Sequence, residues 1–404
     1  MHNRLLFLDN IRTLIILMVV ILHAACAYAI IIPWWPAQEF PKPLFYTFLI
    51  MFFDIFCMPT LFFIAGYFSP SSIKRHGTKR FVFRKLKRLG IPFIMLGLFF
   101  VPYLSYLGYF GRTESPKGFF SMWWYQLKNA MTPEVVLFDS PEIGIAHIND
   151  YSVWHLWFLT LLLMFFILYA VIVKISPKLL QGKMPDQSSR SIMTAMLVAG
   201  VIAMLTVTGI NLIIPVWSWL KCSGIFMVQP SRIGLYLTLF FLGTWASTQN
   251  WFSSGKFPLP FGVWLTMGIL SFAMLIFISK GIMENTGPAP LGLAVATGAV
   301  RSVAALSWLG TLIKGTQLWW NSQGRVSRSL SRSSYDIYLL HMLFVIGVQF
   351  LAIGLPVPYF FKFLIAAVSG VLISWWLSRQ LVSPYPKTAI GLLVGAWGLA
   401  CVVI

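Results

Sequence analysis

Acid is what this chain lacks. It has 11 Asp and Glu in 404 residues, against 30 Lys and Arg. Charged residues of both signs make up 10% of the chain and hydrophobic types 58%, with a mean hydropathy of +0.80. So little charge excludes a soluble globular protein and leaves an integral membrane protein. Cysteine is also scarce. Cys26, Cys57, Cys222 and Cys401 form no CxxC pair and no metal-ligand spacing, so neither a disulfide framework nor a zinc site is expected. No polar stretch is long enough for a separate soluble domain.

What is present is a series of apolar runs near the ~20 residues that span a bilayer. They fall at 12–32, 44–68, 91–110, 154–173, 192–214, 233–249, 260–279, 290–313, 334–353 and 358–377, with a shorter eleventh at 388–404. Backbone exposed to lipid must satisfy its own hydrogen bonds. The predicted fold is therefore all-α: one polytopic membrane bundle of about 10–11 helices over 1–404, with its core helices at about 11–377. Arg4 and Arg12 ahead of an apolar run, followed by Ala24-Ala25-Cys26-Ala27, imitate a signal peptide. The run is long enough to span, however, and is read as an uncleaved first helix.

The surplus of cations has an address. Residues 70–90 hold Lys74, Arg75, Lys79, Arg80, Arg84, Lys85, Lys87 and Arg88 without one acid, and the 174–190 and 314–332 loops are also basic. The 111–153 loop sets Arg112, Lys117 and Lys128 against Glu114, Glu134, Asp139, Glu142 and Asp150. By the positive-inside rule the N-terminus is cytoplasmic and the 111–153 loop external. The net charge of +19 then needs no nucleic acid to explain it. The 70–90 loop reads either as a topology signal touching anionic membrane lipid or as a phosphate site, because Arg84, Lys85 and Arg88 share a helix face just ahead of Pro92.

Arg12 and His23 lie in the first span. Eleven residues at about 100° each return to nearly the same face, about 16 Å along the axis. One reading has Arg12 snorkelling and His23 bonded to a neighbouring helix. The other has a surface cation in line with a buried base, an arrangement suited to a long anionic donor such as acyl-CoA. Asp9 is either an N-cap or a partner that orients Arg12. Asp54 and Arg301 fall mid-span, where roughly 3 kcal/mol or more argues against a lipid-facing charge. They pair with each other, or Asp54 orients His23 while Arg301 meets a substrate. His341 lies seven residues beyond Ser334 in the ninth span. His155 opens the fourth beside Trp154 and Trp157, and these are belt aromatics or contacts for a sugar. The same holds for Trp34-Trp35 and Trp123-Trp124.

Several segments in order carry a family resemblance: Phe7-Leu8-Asp9-Asn10-Ile11-Arg12 with His23, Met58-Pro59 through Gly66-Tyr67-Phe68, Arg84-Lys85 through Arg88-Leu89-Gly90-Ile91-Pro92, His155-Leu156-Trp157-Phe158-Leu159, and Ser334-Tyr335-Asp336-Ile337-Tyr338 through His341. Together they resemble the membrane acyltransferase-3 family, with motif forms nearest its glucan-succinylating members. The resemblance implies a bacterial inner-membrane enzyme with about ten spans. It would move a succinyl or acetyl group from cytoplasmic acyl-CoA, a co-substrate rather than a bound cofactor, to a hydroxyl of an extracytoplasmic glycan or lipid-linked sugar. It makes His23 the general base, with Arg12 and Asp9 beside it, and assigns donor phosphates to Arg84, Lys85 and Arg88. Two departures stand out. The family's arginine pair reads Lys85/Arg88 here, and its Ser-Gly reads Ala65-Gly66. No metal site is expected. The competing reading is a carrier or flippase for a glycan or small anion, since buried Arg, Asp and His also line transport paths. Against it, the two halves show no internal repeat of the kind common in transporters.

Overall fold

The structure, a computed structural model, describes residues 5–110, 117–138, 151–180, 188–252 and 257–403. Arg4, Arg112, Glu114, Asp139, Glu142, Asp150 and Lys183, part of the charge pattern above, lie outside the described residues. The chain is a helical bundle. Among the described residues ten helical segments are long and apolar enough to cross a membrane, and they coincide with ten of the eleven expected spans. The exception is 233–249. It forms helix α10 (Pro230–Thr248), but Ser231, Arg232, Gly234, Thr238 and Thr244 dilute its apolar content.

Helix α1 runs Leu6–Ala25 and ends in a 3-10 turn at Cys26–Tyr28. Residues 29–43 form a strap before α2 (Leu44–Tyr67) returns. Two short basic helices follow, α3 (Ser69–His76) and α4 (Thr78–Lys85). A π-type turn at Leu86–Gly90 links α4 to α5 (Ile91–Phe99) and α6 (Val101–Phe110). Beyond α7 (Phe119–Met131), the long helices are α8 (Trp157–Ile175), α9 (Ser189–Asn211), α10, α11 (Phe261–Glu284), α12 (Leu291–Trp319), α13 (Arg325–Ala352), α14 (Tyr359–Leu377) and α15 (Pro386–Val403). A small antiparallel sheet, order β1-β2-β3 (Val135–Phe138, Trp219–Cys222, Phe226–Val228), was not anticipated from the apolar runs. It pairs Val135 with Cys222 and Leu220 with Val228.

Two sequence expectations about α1 and α13 need correction. Asp9 is not an N-cap: α1 starts at Leu6, Leu5 holds the cap position, and Asp9 lies within the first turn. Phe7 and Leu8 are buried, and their packing extends the helix ahead of the acid. There Asp9 pairs with Arg12 at 3.1 Å, in a field that favours an anion. His341 does not lie close to the start of its helix. The Ser- and Arg-rich stretch from Arg325 is already helical, with Leu330 packed on the core. His341 is therefore 16 residues, about 24 Å, from that end. His23 lies 17 residues along α1, about 25 Å, so the two imidazoles stand at matching depth.

α1 packs against α2, α13 and α14, while α10 lies against α2 and α9. Between hydrocarbon-embedded helices there is little hydrophobic drive, so close backbone approach carries the association. At the α2–α10 crossing a Cβ on Gly66 would lie 2.0 Å from the Phe240 carbonyl oxygen, and one on Gly243 2.1 Å from that of Phe63. Backbone on both sides leaves nothing to rotate away. Gly243→Ala should therefore lower stability by about 1–3 kcal/mol, the usual cost of overpacking. A fall in the thermal unfolding midpoint in detergent, followed by tryptophan fluorescence, is the expected result. An unchanged midpoint would mean that the crossing can spread.

Candidate active site

The far end of α1, away from the N-terminus, opens on a chamber of about 300 Å³. Six tryptophans line it: Trp34 and Trp35 from the strap, Trp154 and Trp157 at the head of α8, and Trp217 and Trp219 at the sheet. Helix ends and a strap can supply so many flat side chains because they need not fit between close-packed helices. His23, His155, Asp54, Arg232 and Arg301 supply polar and charged groups to the same wall.

The histidines meet across the fold. His23 Nδ1 lies 2.9 Å from His341 Nε2. The other His341 nitrogen, Nδ1, lies 2.8 Å from the Tyr338 carbonyl oxygen and 3.0 Å from that of Ile337. Carbonyl oxygens only accept, so His341 carries its proton on Nδ1 and offers a lone pair at Nε2. His23 must then donate from Nδ1, which leaves its Nε2 unprotonated and able to accept. His341 is fully buried and His23 half-buried. His155 stands edge-on to both, with ring centroids 6.5 Å from His23 and 5.3 Å from His341. Its Nε2–H donates to the Leu339 carbonyl at 3.2 Å, and the Tyr338 hydroxyl donates to the His155 carbonyl oxygen. Among the described residues no group of His, Cys, Asp and Glu is arranged to hold a metal ion.

Gln349 sets the aromatic wall. Its Oε1 accepts from Trp35 Nε1 at 2.8 Å, while its Nε2 donates to the Ala24 carbonyl at 2.9 Å and to that of His23 at 3.3 Å. Trp35 is thereby stacked on His23, with centroids 5.8 Å apart and planes at 11°. Trp157 stacks in turn on Tyr236 at 6.0 Å. The strap is fastened by the buried Lys362–Glu39 ion pair and by the Tyr359 hydroxyl on the Phe40 carbonyl at 2.7 Å.

Arg12 belongs to a different cavity. At the N-terminal end of the bundle, Asp9, Arg12, Lys74, Arg75, Lys314, Gln317 and Asn321 line an open space of about 1440 Å³. The buried Ile15 and Ile16 of α1 lie between Arg12 and the chamber residues Val19 and His23. Arg84, Lys85 and Arg88 line neither cavity. Arg84 Nη1 donates to His76 Nε2 at 2.7 Å. The Lys85 ammonium sits 4.0 Å from the centre of the Phe166 ring, and Arg88 lies over Tyr335 at 5.4 Å.

Asp54 does pair with Arg301, as one of the two readings expected, but it has a second and nearer partner. Its Oδ1 accepts from Arg232, and Arg301 approaches Oδ2 at 3.7 Å. An apolar run that starts at 233 leaves Arg232 just outside it, whereas Pro230 at the helix start brings Arg232 into the first turn. Lys74, Arg75 and Lys314 were visible only as loop charge.

A family model for an acyltransferase domain matches residues 5–379. The chain belongs to the acyltransferase-3 family. No curated protein and no solved structure matches it. The matched region includes both cavities and all three clustered histidines, and it leaves α15 outside. In an acyltransferase a half-buried imidazole with one nitrogen tied and the other open is suited to take a hydroxyl proton.

If His341 sets the His23 tautomer, removing it should cost turnover and spare binding. His341→Ala should lower the acyl-transfer rate by between about tenfold and 10⁴-fold, the upper figure being the loss when a serine protease loses its tautomer-fixing aspartate. KM for both substrates should hardly move. His341→Gln returns an acceptor oxygen and should recover part of the rate. Equal losses in the two variants, matched by loss of folded protein, would leave His341 a packing residue.

Proposed function

We propose that this protein is an acyl-CoA-dependent O-acyltransferase of the bacterial inner membrane, placing an acetyl or succinyl group on a hydroxyl of an extracytoplasmic glycan or lipid-linked sugar. The observation that carries this reading is His23 itself: Nδ1 bound to His341 and Nε2 left open, at the edge of a tryptophan-lined chamber. Tryptophan faces suit the C–H faces of sugars. The motif forms nearest the glucan-succinylating members favour succinyl.

In this mechanism an acceptor hydroxyl lies against His23 Nε2 and gives up its proton as its oxygen attacks the thioester carbonyl. The tetrahedral adduct collapses with cleavage of the C–S bond. The departing CoA thiolate takes the proton from His23, so base and leaving group balance without a cofactor. The basic N-terminal cavity faces the cytoplasm and holds the donor phosphates, through Arg12, Lys74, Arg75 and Lys314. Arg84, linked to His76 next to Arg75, lies with Lys85 and Arg88 on the surrounding basic surface, which attracts the donor over distances that salt screens. The pantetheine arm follows α1 inward towards His23.

Purified protein in nanodiscs, given acyl-CoA and a soluble glycan, should release CoA thiol and form an O-acyl ester. His23→Ala should reduce this by about 10²–10⁴-fold with donor affinity retained. Near-normal turnover in that variant would remove His23 from the chemistry, and glycan flux into liposomes without ester formation would make the protein a carrier.

The donor site has its own test. Neutralising Lys74, Arg75 and Lys314 together should raise the KM for acyl-CoA about tenfold or more, as expected for lost charge-assisted contacts. Neutralising Arg84, Lys85 and Arg88 should produce a smaller rise that disappears at high salt. The reverse order would move the phosphates to the second cluster.

A further inference from the structure

Away from the histidines, three charged side chains meet in the chamber wall. Asp54 on α2 accepts from Arg232 on α10, and Arg301 on α12 stands 3.7 Å from its second oxygen. The arginine side chains are 8% and 6% exposed, whereas Asp54 is 29% exposed. Both arginine Nε–H groups are buried with no acceptor. Asp54 is the only acid among the described residues lining the chamber. Guanidinium stays protonated in proteins, so this wall carries two positive charges against one negative. Asp54 is shared between Arg232 and the more distant Arg301, so its single negative charge leaves one positive charge of the pair in surplus. A buried charge without a counter-charge costs several kcal/mol. The positive end of α10, where Arg232 stands in the first turn, deepens the imbalance.

We propose that Arg301 and Arg232 form an anion subsite of the chamber, which seats a carboxylate or phosphate group carried in by one of the two substrates. The planar fork of a guanidinium matches either group. Asp54 holds the two arginines apart and in register rather than saturating them. The proposal rests on the acyltransferase reading for the identity of the carriers: an acyl chain ending in a carboxylate, or an acceptor bearing a phosphate or acid. The subsite's affinity for an anion does not depend on that reading.

Wild type and Arg301→Gln in nanodiscs separate these possibilities. The variant keeps the neutral Asp54–Arg232 pair, so its unfolding midpoint without ligand should equal or exceed that of wild type. Thermal unfolding is followed with sodium succinate or glucose 6-phosphate, matched by butyramide and glucose at constant ionic strength. One of the anions should raise the wild-type midpoint and leave the variant unmoved. Turnover identifies the source: the kcat/KM ratio of succinyl-CoA to acetyl-CoA, or of glucose 6-phosphate to glucose as acceptor, should fall about tenfold or more in the variant, the scale of a charge-assisted hydrogen bond. Equal anion stabilisation of both proteins would overturn the proposal. So would a variant several degrees less stable with both ratios unchanged, which would make Arg301 a structural ion-pair member. Arg301-dependent stabilisation without any acyl transfer would leave the subsite standing and sink the acyltransfer reading instead.

Discussion

The cost of leaving an ionisable group against hydrocarbon organises this molecule. Asp54, His23, His155, Arg232, Arg301 and His341 come from six different segments. Each turns inward because a lipid-facing charge or unpaired polar group is expensive. Once turned inward, they must meet one another or water. The outcome is a bundle with an aromatic-lined room holding most of these groups at one end, a basic hollow at the other, and apolar α1 side chains such as Ile15 and Ile16 between them. Small residues make this possible. Gly66 and Gly243 let α2 and α10 touch backbone to backbone, and about 18 Å along the same helix pair Asp54 reaches Arg232.

Much of the architecture was legible in the sequence, because a span must reach across a fixed thickness and must be apolar to do so. Local pairings were legible for a similar reason: Asp9 and Arg12 are three apart, and helical geometry alone brings them together. The meeting of His23 with His341 was not, since no periodicity links positions 318 residues apart. Asp54 shows the limit more sharply. Its turn away from lipid and its pairing with Arg301 follow from two mid-span charges, but its nearer partner Arg232 depends on where α10 begins, about one turn ahead of the apolar run. The basic 70–90 segment divides in two. Lys74 and Arg75 at its start line the N-terminal cavity with Arg12 and Lys314, whereas Arg84, Lys85 and Arg88 line neither cavity.

α13 carries His341 and Gln349 eight residues apart, about 12 Å along one rod. The first holds the tautomer of His23, and the second holds both Trp35 and the carbonyls at the end of α1. The aromatic wall and the imidazole are thus hung from a single rigid element. Any displacement of α13 along its axis would shift both contacts together, so the tryptophan and the imidazole share one setting.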